Sequence, residues 1–201
     1  MTAAPQISAL ATERLQIFVG LLAKWNAAIN LVSPASLAEV WTRHVADSAQ
    51  VLDLAPIRRA RWLDMGSGAG FPGIVIALIT ADTPNPVEMT LVESDRRKAA
   101  FLSTVSRETG VPMIIQAARI EAVVPQNADT VSARALAPLV RLCSFAERHL
   151  APDGTALFLK GGQYAAEIAE ARRTWSFALD VRRSSTDPAG AVLIMKDLRR
   201  V

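Results

Sequence analysis

Leu63-Asp64-Met65-Gly66-Ser67-Gly68-Ala69-Gly70-Phe71-Pro72-Gly73 is the stretch on which the reading of this chain turns. A short apolar run of strand type enters a turn with glycine at every second position, and an apolar run of helical type follows. Glycines crowded in this way let backbone approach a ligand where any Cβ would collide. Pro72 suits the first turn of a helix. In an open α/β sheet, the turn after the first strand is where nucleotide-like ligands settle. Glu93 closes the next strand-type run, 23 residues beyond Gly70. A carboxylate there can accept hydrogen bonds from both hydroxyls of a ribose.

Outward from this loop, apolar runs of strand type recur at Met89 to Glu93, Met113 to Gln116, Thr130 to Ala133 and Ala156 to Lys160. Segments of helical spacing separate them: Pro72 to Ala81, Asp95 to Thr109, Leu139 to Leu150 and Tyr164 to Thr174. Alternation at this pitch predicts a parallel sheet covered on both faces. At the C-terminal end, Ser176 to Arg182 and Ala191 to Leu198 flank Asp187-Pro188-Ala189-Gly190 and read as a hairpin. The first third is of another kind. Ile7, Leu10, Leu15, Phe18, Leu22, Trp25 and Ile29 follow a helical period. Ser36 with Glu39 marks the start of a second helix through Leu52, with Leu37, Val40, Trp41 and Val45 facing inward. Trp25 and Trp41 read as core anchors. The expected organisation is a helical cap over residues 1–60 on a compact α/β domain over residues 61–201.

Composition narrows the class. The chain has 201 residues, 51% of them hydrophobic, but 35 are alanine and no apolar run approaches the ~18 residues of a membrane span. The N-terminus lacks the basic start and apolar stretch of a secretory signal. Cys143 alone forms no internal disulfide, and one Cys with His44 and His149 cannot build a structural zinc site. No metal, no membrane association and a cytoplasmic location are expected. The net charge is +3, from 18 Arg and 4 Lys against 19 acids. This allows a polyanionic partner without demanding one.

Gly68-Ala69-Gly70-Phe71-Pro72-Gly73 satisfies the dinucleotide pattern G-x-G-x-x-G, so NAD competes for the loop. Asp64 weighs against it, because a carboxylate at the loop is badly placed beside a pyrophosphate at a helix N-terminus. A cofactor with a cationic ammonium and sulfonium suits it better. Five parallel-type strands followed by a hairpin resemble the class I methyltransferase fold, Rossmann-like and seven-stranded with an antiparallel terminal strand. S-adenosylmethionine is the expected cofactor. The acceptor is narrowed by what is missing. Cys143 lies mid-helix without the Pro-Cys context of pyrimidine methylation. Ser132-Ala133-Arg134-Ala135-Leu136-Ala137-Pro138 replaces the Asp/Asn-Pro-Pro-aromatic loop of exocyclic amino methylation. A guanine N7 needs neither device, only alignment and desolvation. Arg134 and Lys160 follow strands that should end on the ligand side, where they can hold phosphate or guanine O6.

The same residues resemble the RsmG (GidB) family of bacterial ribosomal RNA methyltransferases over nearly the whole chain. Asn30-Leu31 and Arg43-His44-Val45-Ala46-Asp47-Ser48 are similar to its N-terminal signatures, and Leu63 to Gly73 to its cofactor loop. Arg119-Ile120-Glu121, Ser132-Ala133-Arg134-Ala135 and Leu159-Lys160-Gly161-Gly162 fall at its later motifs. The resemblance implies methyl transfer to N7 of a guanine in 16S ribosomal RNA. It further implies that Gly66 and Phe71 line the cofactor path, Ile120 and Glu121 flank the adenine, and Arg134 stands beside the cofactor facing the RNA. Asp64, Gly68, Gly70 and Glu93 complete the expected cofactor site, and Arg134 and Lys160 the catalytic pair. His44 and Asp47, three apart on a helix, can pair with each other. Basic clusters at Arg58-Arg59 with Arg61, Arg96-Arg97-Lys98, Arg172-Arg173, Arg182-Arg183 and Arg199-Arg200 are small. A monomer acting on RNA within the small ribosomal subunit or an assembly intermediate is therefore expected. A small-molecule methyltransferase, an NAD enzyme and a non-catalytic assembly factor remain alternatives at this point.

Overall fold

The computed structural model describes residues 7–55 and 61–201. The basic pair Arg58-Arg59 and the cap–body boundary lie outside the described residues. Seven strands form one sheet in the order β3-β2-β1-β4-β5-β7-β6. They are β1 Arg61–Met65, β2 Glu88–Val92, β3 Ile114–Gln116, β4 Ala128–Arg134, β5 Leu150–Lys160, β6 Trp175–Arg183 and β7 Ala191–Arg200. The first five run parallel, and β7 pairs antiparallel with both β5 and β6. This is the expected seven-stranded, mostly parallel sheet with an antiparallel terminal strand.

Alternation along β1 sorts the two cores. Trp62 packs with α4 (Gly73–Thr80), α5 (Arg96–Thr109) and the cap helix α1 (Ala9–Ile29). Leu63 and Met65 join α6 (Leu139–His149) on the opposite face, beside α7 (Tyr164–Ala171). Every residue of α4 is buried, as an apolar helix between sheet and cap must be. Phe18 of α1 lies 5.2 Å from Phe71 and 6.3 Å from Phe101, and Trp25 lies 5.8 Å from Phe101. The cap therefore shares one hydrophobic core with the sheet.

The cap departs from expectation after α1. Ser33, not Ser36, caps α2 (Pro34–Ala38), its hydroxyl accepting from the Ser36 N–H at 3.1 Å. The chain then makes a π-helical turn over Val40–Val45, α3 (Ala46–Ala49) and a 3₁₀ turn over Gln50–Leu54. The wider π turn shifts the helical phase. Val40 and Val45 remain buried while Trp41 turns outward, 42% exposed. Trp41 is not a core anchor.

Candidate functional site

The C-terminal ends of β1, β2, β4 and β5 converge on one edge of the sheet, and the glycine turn hangs over it. Gly66, Gly68 and Gly70 all have positive φ, at 67°, 54° and 92°, conformations that side chains strain. They differ in what surrounds them. A Cβ on Gly66 would fall 2.4 Å from Leu136 Cδ1, and one on Gly70 would fall 2.5 Å from Ile74 Cδ1. One on Gly68 would meet only the Gly66 carbonyl, at 3.8 Å. Gly73 lets α4 settle on the sheet, since its Cβ would lie 2.5 Å from Leu91 and 2.8 Å from Asp64. Pro72 stands one residue before α4, at the N-cap position.

Glu93 binds the turn to the end of β2. One carboxylate oxygen accepts the Gly68 N–H at 2.9 Å, and the other accepts the Asp95 N–H at 2.7 Å. A cleft of about 310 Å³ opens over this turn, lined by Gly66, Gly68, Phe71, Glu93, Lys98 and Arg134. A second cavity of about 200 Å³ lies beyond Leu136, lined by Ala118, Ile120, Glu121, Arg141 and Phe145. Gly66, Ser94 and Leu136 border both. Ile120 is buried at the start of a 3₁₀ turn, and its carbonyl lies 3.2 Å from His149 Nε2. A ring nitrogen facing a carbonyl must donate, so His149 carries its proton on Nε2. The Glu121 carboxyl is held below its usual range by its own backbone N–H and by Arg141, which donates at 2.7 Å.

Asp64 sits beneath the turn, 1% exposed, and does not line the cleft. It shares its face of β1 with Trp62 and stands in register with Ser132 on β4. The Trp62 indole N–H donates to Ser132 Oγ at 2.9 Å, and the Ser132 hydroxyl donates to Asp64 Oδ1 at 2.6 Å. Asp64 Oδ2 has no hydrogen-bond partner. Burial pushes the carboxyl up to about 6, against the opposing pull of Ser132 and of the Arg134 charge.

Arg134 ends β4 between this cleft and a third cavity of about 240 Å³, lined among others by Asp47, Lys160, Glu167, Ser184 and Asp187. Arg134 and Ala135 line both spaces. The Arg134 guanidinium lies 4.9 Å from the centre of the Phe71 ring. Lys160 faces the third cavity, with its Nζ 2.6 Å from Glu167 Oε2 and donating to the Ala137 carbonyl at 3.1 Å. The charge of Lys160 is thus already answered by Glu167. Arg134, Gly66, Gly68, Phe71 and Glu93 meet around one cleft, Ile120 and Glu121 line its neighbour, and Lys160 stands beyond Arg134. Leu136 and Glu167 escaped the sequence reading, because neither sits in a distinctive local pattern.

The family model described as "GidB: rRNA small subunit methyltransferase G" matches residues 11–189. The ribosomal RNA small subunit methyltransferase G of Ruegeria sp. (strain TM1040) is 48% identical over 189 residues, 94% of this chain and 92% of that protein. That of Cereibacter sphaeroides (strain ATCC 17029 / ATH 2.4.9) is 47% identical over 97% of this chain and 95% of its own. Among solved structures, M. jannaschii TYW2 in complex with AdoMet superposes with a TM-score of 0.59 at 13% identity, over 79% of this chain and 76% of that one. At that identity the likeness concerns the fold.

Proposed function

The chain belongs to the GidB family, rRNA small subunit methyltransferase G, and from that membership we propose that it transfers a methyl group from S-adenosylmethionine to N7 of a guanine in 16S ribosomal RNA. The observation that carries the reading is the meeting of two spaces at Arg134 and Ala135: the glycine-turn cleft on one side, a polar cavity on the other.

The residues present fit that cofactor. The Gly68 backbone borders open space, Glu93 lies at the cleft wall, and Asp64 places an unpartnered carboxylate oxygen under the turn. Two carboxylates suit a cationic ligand and would repel a pyrophosphate. Gly66, Gly68 and Phe71 would hold the amino acid and ribose portions, with Gly70, which does not line the cleft, shaping the turn against Ile74 and Asp64 contributing its charge from below. Glu93 would accept the ribose hydroxyls chiefly through Oε2, which keeps a lone pair beside the Gly68 N–H it already takes, because Oε1 accepts from both the Asp95 N–H and, at 3.5 Å, the Ser94 hydroxyl. Ile120 and Glu121 would flank the adenine in the adjoining cavity. When bound, the cofactor supplies an electrophilic methyl group on a sulfonium.

The polar cavity beyond Arg134 would receive the base. Arg134 donates toward guanine O6 or a phosphate, and Lys160 lends its remaining proton to the same wall. A guanine N7 presents its lone pair without deprotonation, so the chain's task is to align it and keep water out. Cys143 takes no part: it is buried in α6, where burial pushes its thiol up to about 12.

In each described basic cluster one arginine pairs with a neighbouring acid, as in Arg61–Asp129, Arg97–Asp95, Arg173–Glu170, Arg182–Asp180 and Arg200–Glu147, which leaves only small patches of free charge. Charge alone would hold RNA weakly. Such weak charge fits a substrate presented on the small ribosomal subunit or an assembly intermediate, where shape adds to recognition; action as a monomer belongs to the same proposal. The division into a cap over residues 1–60 and a methyltransferase body over residues 61–201 belongs to the same proposal. No helix among the described residues is long and apolar enough to cross a membrane.

Calorimetry and labelled-methyl transfer test this function. S-adenosylmethionine is expected to bind where NADH does not, and label to enter assembled subunits in preference to naked 16S RNA. Binding of NADH alone would overturn the cofactor assignment. Equal labelling of both RNA forms would overturn the assembled substrate.

A further inference from the structure

The cap signature Arg43-His44-Val45-Ala46-Asp47-Ser48 has no part in the cleft described above, yet two of its side chains end on Arg134. His44 Nδ1 lies 3.0 Å from Arg134 Nη1, and Asp47 Oδ2 lies 3.5 Å from the same nitrogen. A guanidinium can only donate, so His44 Nδ1 accepts and the ring is neutral with its proton on Nε2. That Nε2 is buried without a partner, an arrangement that costs free energy and that solvation or a flipped ring would relieve. The ring also stacks on Phe71, with centroids 5.0 Å apart and planes 30° apart. Arg134 thus lies against the cleft-lining Phe71 while His44 and Asp47 bond it from the cap side.

Asp47 is itself fixed from three directions. Its Oδ1 accepts from Gln50 Nε2 at 2.7 Å, from the Thr186 hydroxyl at 2.9 Å and from the Ser184 hydroxyl at 3.1 Å. Ser184 and Thr186 belong to the loop that joins β6 to β7, so cap, hairpin and β4 are tied at one carboxylate. The expected His44–Asp47 pair is replaced by two separate contacts to Arg134. The side chains of Arg134 and Asp47 are only 19% and 16% exposed. At that burial a fixed charge pair resists solvent screening.

We infer that His44 and Asp47 are positioning residues for Arg134, fixing its guanidinium at the junction of the cofactor cleft and the polar cavity. The cap is then part of the transfer site rather than a cover over it. The inference rests on the proposed methyl transfer and adds two residues that act through Arg134, with Asp47 standing in the wall of the polar cavity itself.

A double-mutant cycle tests it. His44→Phe preserves the stack on Phe71 but removes the acceptor. Asp47→Asn preserves shape but removes the charge. Each is expected to lower kcat on the order of 10-fold or more, the scale of a misplaced reacting group, with melting temperature and S-adenosylmethionine affinity by calorimetry little changed. In an Arg134→Ala background the same substitutions are expected to lower kcat no further. Losses that simply multiply across the two backgrounds would overturn the inference, as would a fall in kcat matched by loss of the fold. If the wild-type protein transfers no methyl group, the functional reading itself fails, and that result is separate from an additive cycle.

A second readout needs no activity. His44 and His149 are the only histidines, so ring nitrogen resonances can be assigned by single substitution. Burial and then Arg134, opposed by Asp47 and aided by Arg43, draw the His44 ring down to about 4. Phe71, the other group against the ring, does not titrate. At pH 5.5 His44 is expected to stay neutral in the wild type, and its titration is expected to move upward in Arg134→Ala, where the Arg134 charge is gone and the attraction of Asp47 remains. A protonated ring in the wild type would show that the contact is absent in solution.

Discussion

The backbone N–H of Gly68 donates to the Glu93 carboxylate across 2.9 Å, joining the glycine turn after β1 to the end of β2. The acid therefore does two jobs: it shapes the turn and stands ready to accept a ribose. Glu93→Ala removes both. S-adenosylmethionine affinity is expected to fall roughly 10- to 100-fold, the equivalent of one or two charged hydrogen bonds. Glu93→Asp keeps the carboxylate and should retain most of the affinity. Calorimetry on the two variants checks the pair, and equal losses in both would assign Glu93 to turn structure alone.

Two glycines of one motif should fail in opposite ways. A side chain at Gly68 points into open cleft, so Gly68→Val is expected to abolish cofactor binding while costing about 1–2 kcal/mol for its positive φ. A side chain at Gly73 meets Leu91 and Asp64 at 2.5 and 2.8 Å. Gly73→Ala is expected to cost stability first, about 1–3 kcal/mol from overpacking. Melting temperature and binding measured on both variants separate the two effects.

Asp64 gives the stability curve a definite slope. Its folded carboxyl titrates near 6, raised by burial, whereas an unfolded carboxyl titrates near 4. Between those values the folded protein holds a proton that the unfolded chain has lost. Stability from this group is full below about pH 4, falls as pH rises toward 6, and stays lost above it. Asp64→Asn is expected to raise the unliganded protein's stability at pH 8 by roughly 2–3 kcal/mol and to do little at pH 4. His44 and His149, both drawn down by burial, destabilise wild type and variant alike as pH falls below about 6.5. They cancel in the difference. The same variant is expected to bind S-adenosylmethionine more weakly.

Ser132 links a core tryptophan to the loop acid. Ser132→Ala leaves the Trp62 N–H and Asp64 Oδ1 buried without partners. Each unsatisfied group costs about 1–3 kcal/mol, so denaturant unfolding should reveal a loss of roughly 2–6 kcal/mol. A loss below about 1 kcal/mol would mean that water enters the site to replace the hydroxyl.

The sheet was legible because each parallel strand carries a short apolar run, and a helical period separates all of them but β3 and β4, which are joined through a 3₁₀ turn at Ile120–Ala122. The glycine turn was legible because its positive φ angles demand that residue type. The cap was less so: Ser33 and Ser36 are both competent caps three residues apart, and no local pattern marks the π turn that rotates Trp41 into solvent. Sequence adjacency puts Asp64 at the loop, but it does not line the cleft. Strand alternation turns it toward Ser132 and α4, whereas proximity in sequence suggested the cleft. Contacts across long separations, such as His44 with Arg134 or Lys160 with Glu167, have no local signature at all.

The most direct measurement digests 16S ribosomal RNA, labelled by this protein with radioactive S-adenosylmethionine, to nucleosides. The label is expected in 7-methylguanosine alone, and at a greatly reduced level with Arg134→Ala. Label in any other nucleoside, or no transfer to ribosomal RNA by the wild type, would contradict the account.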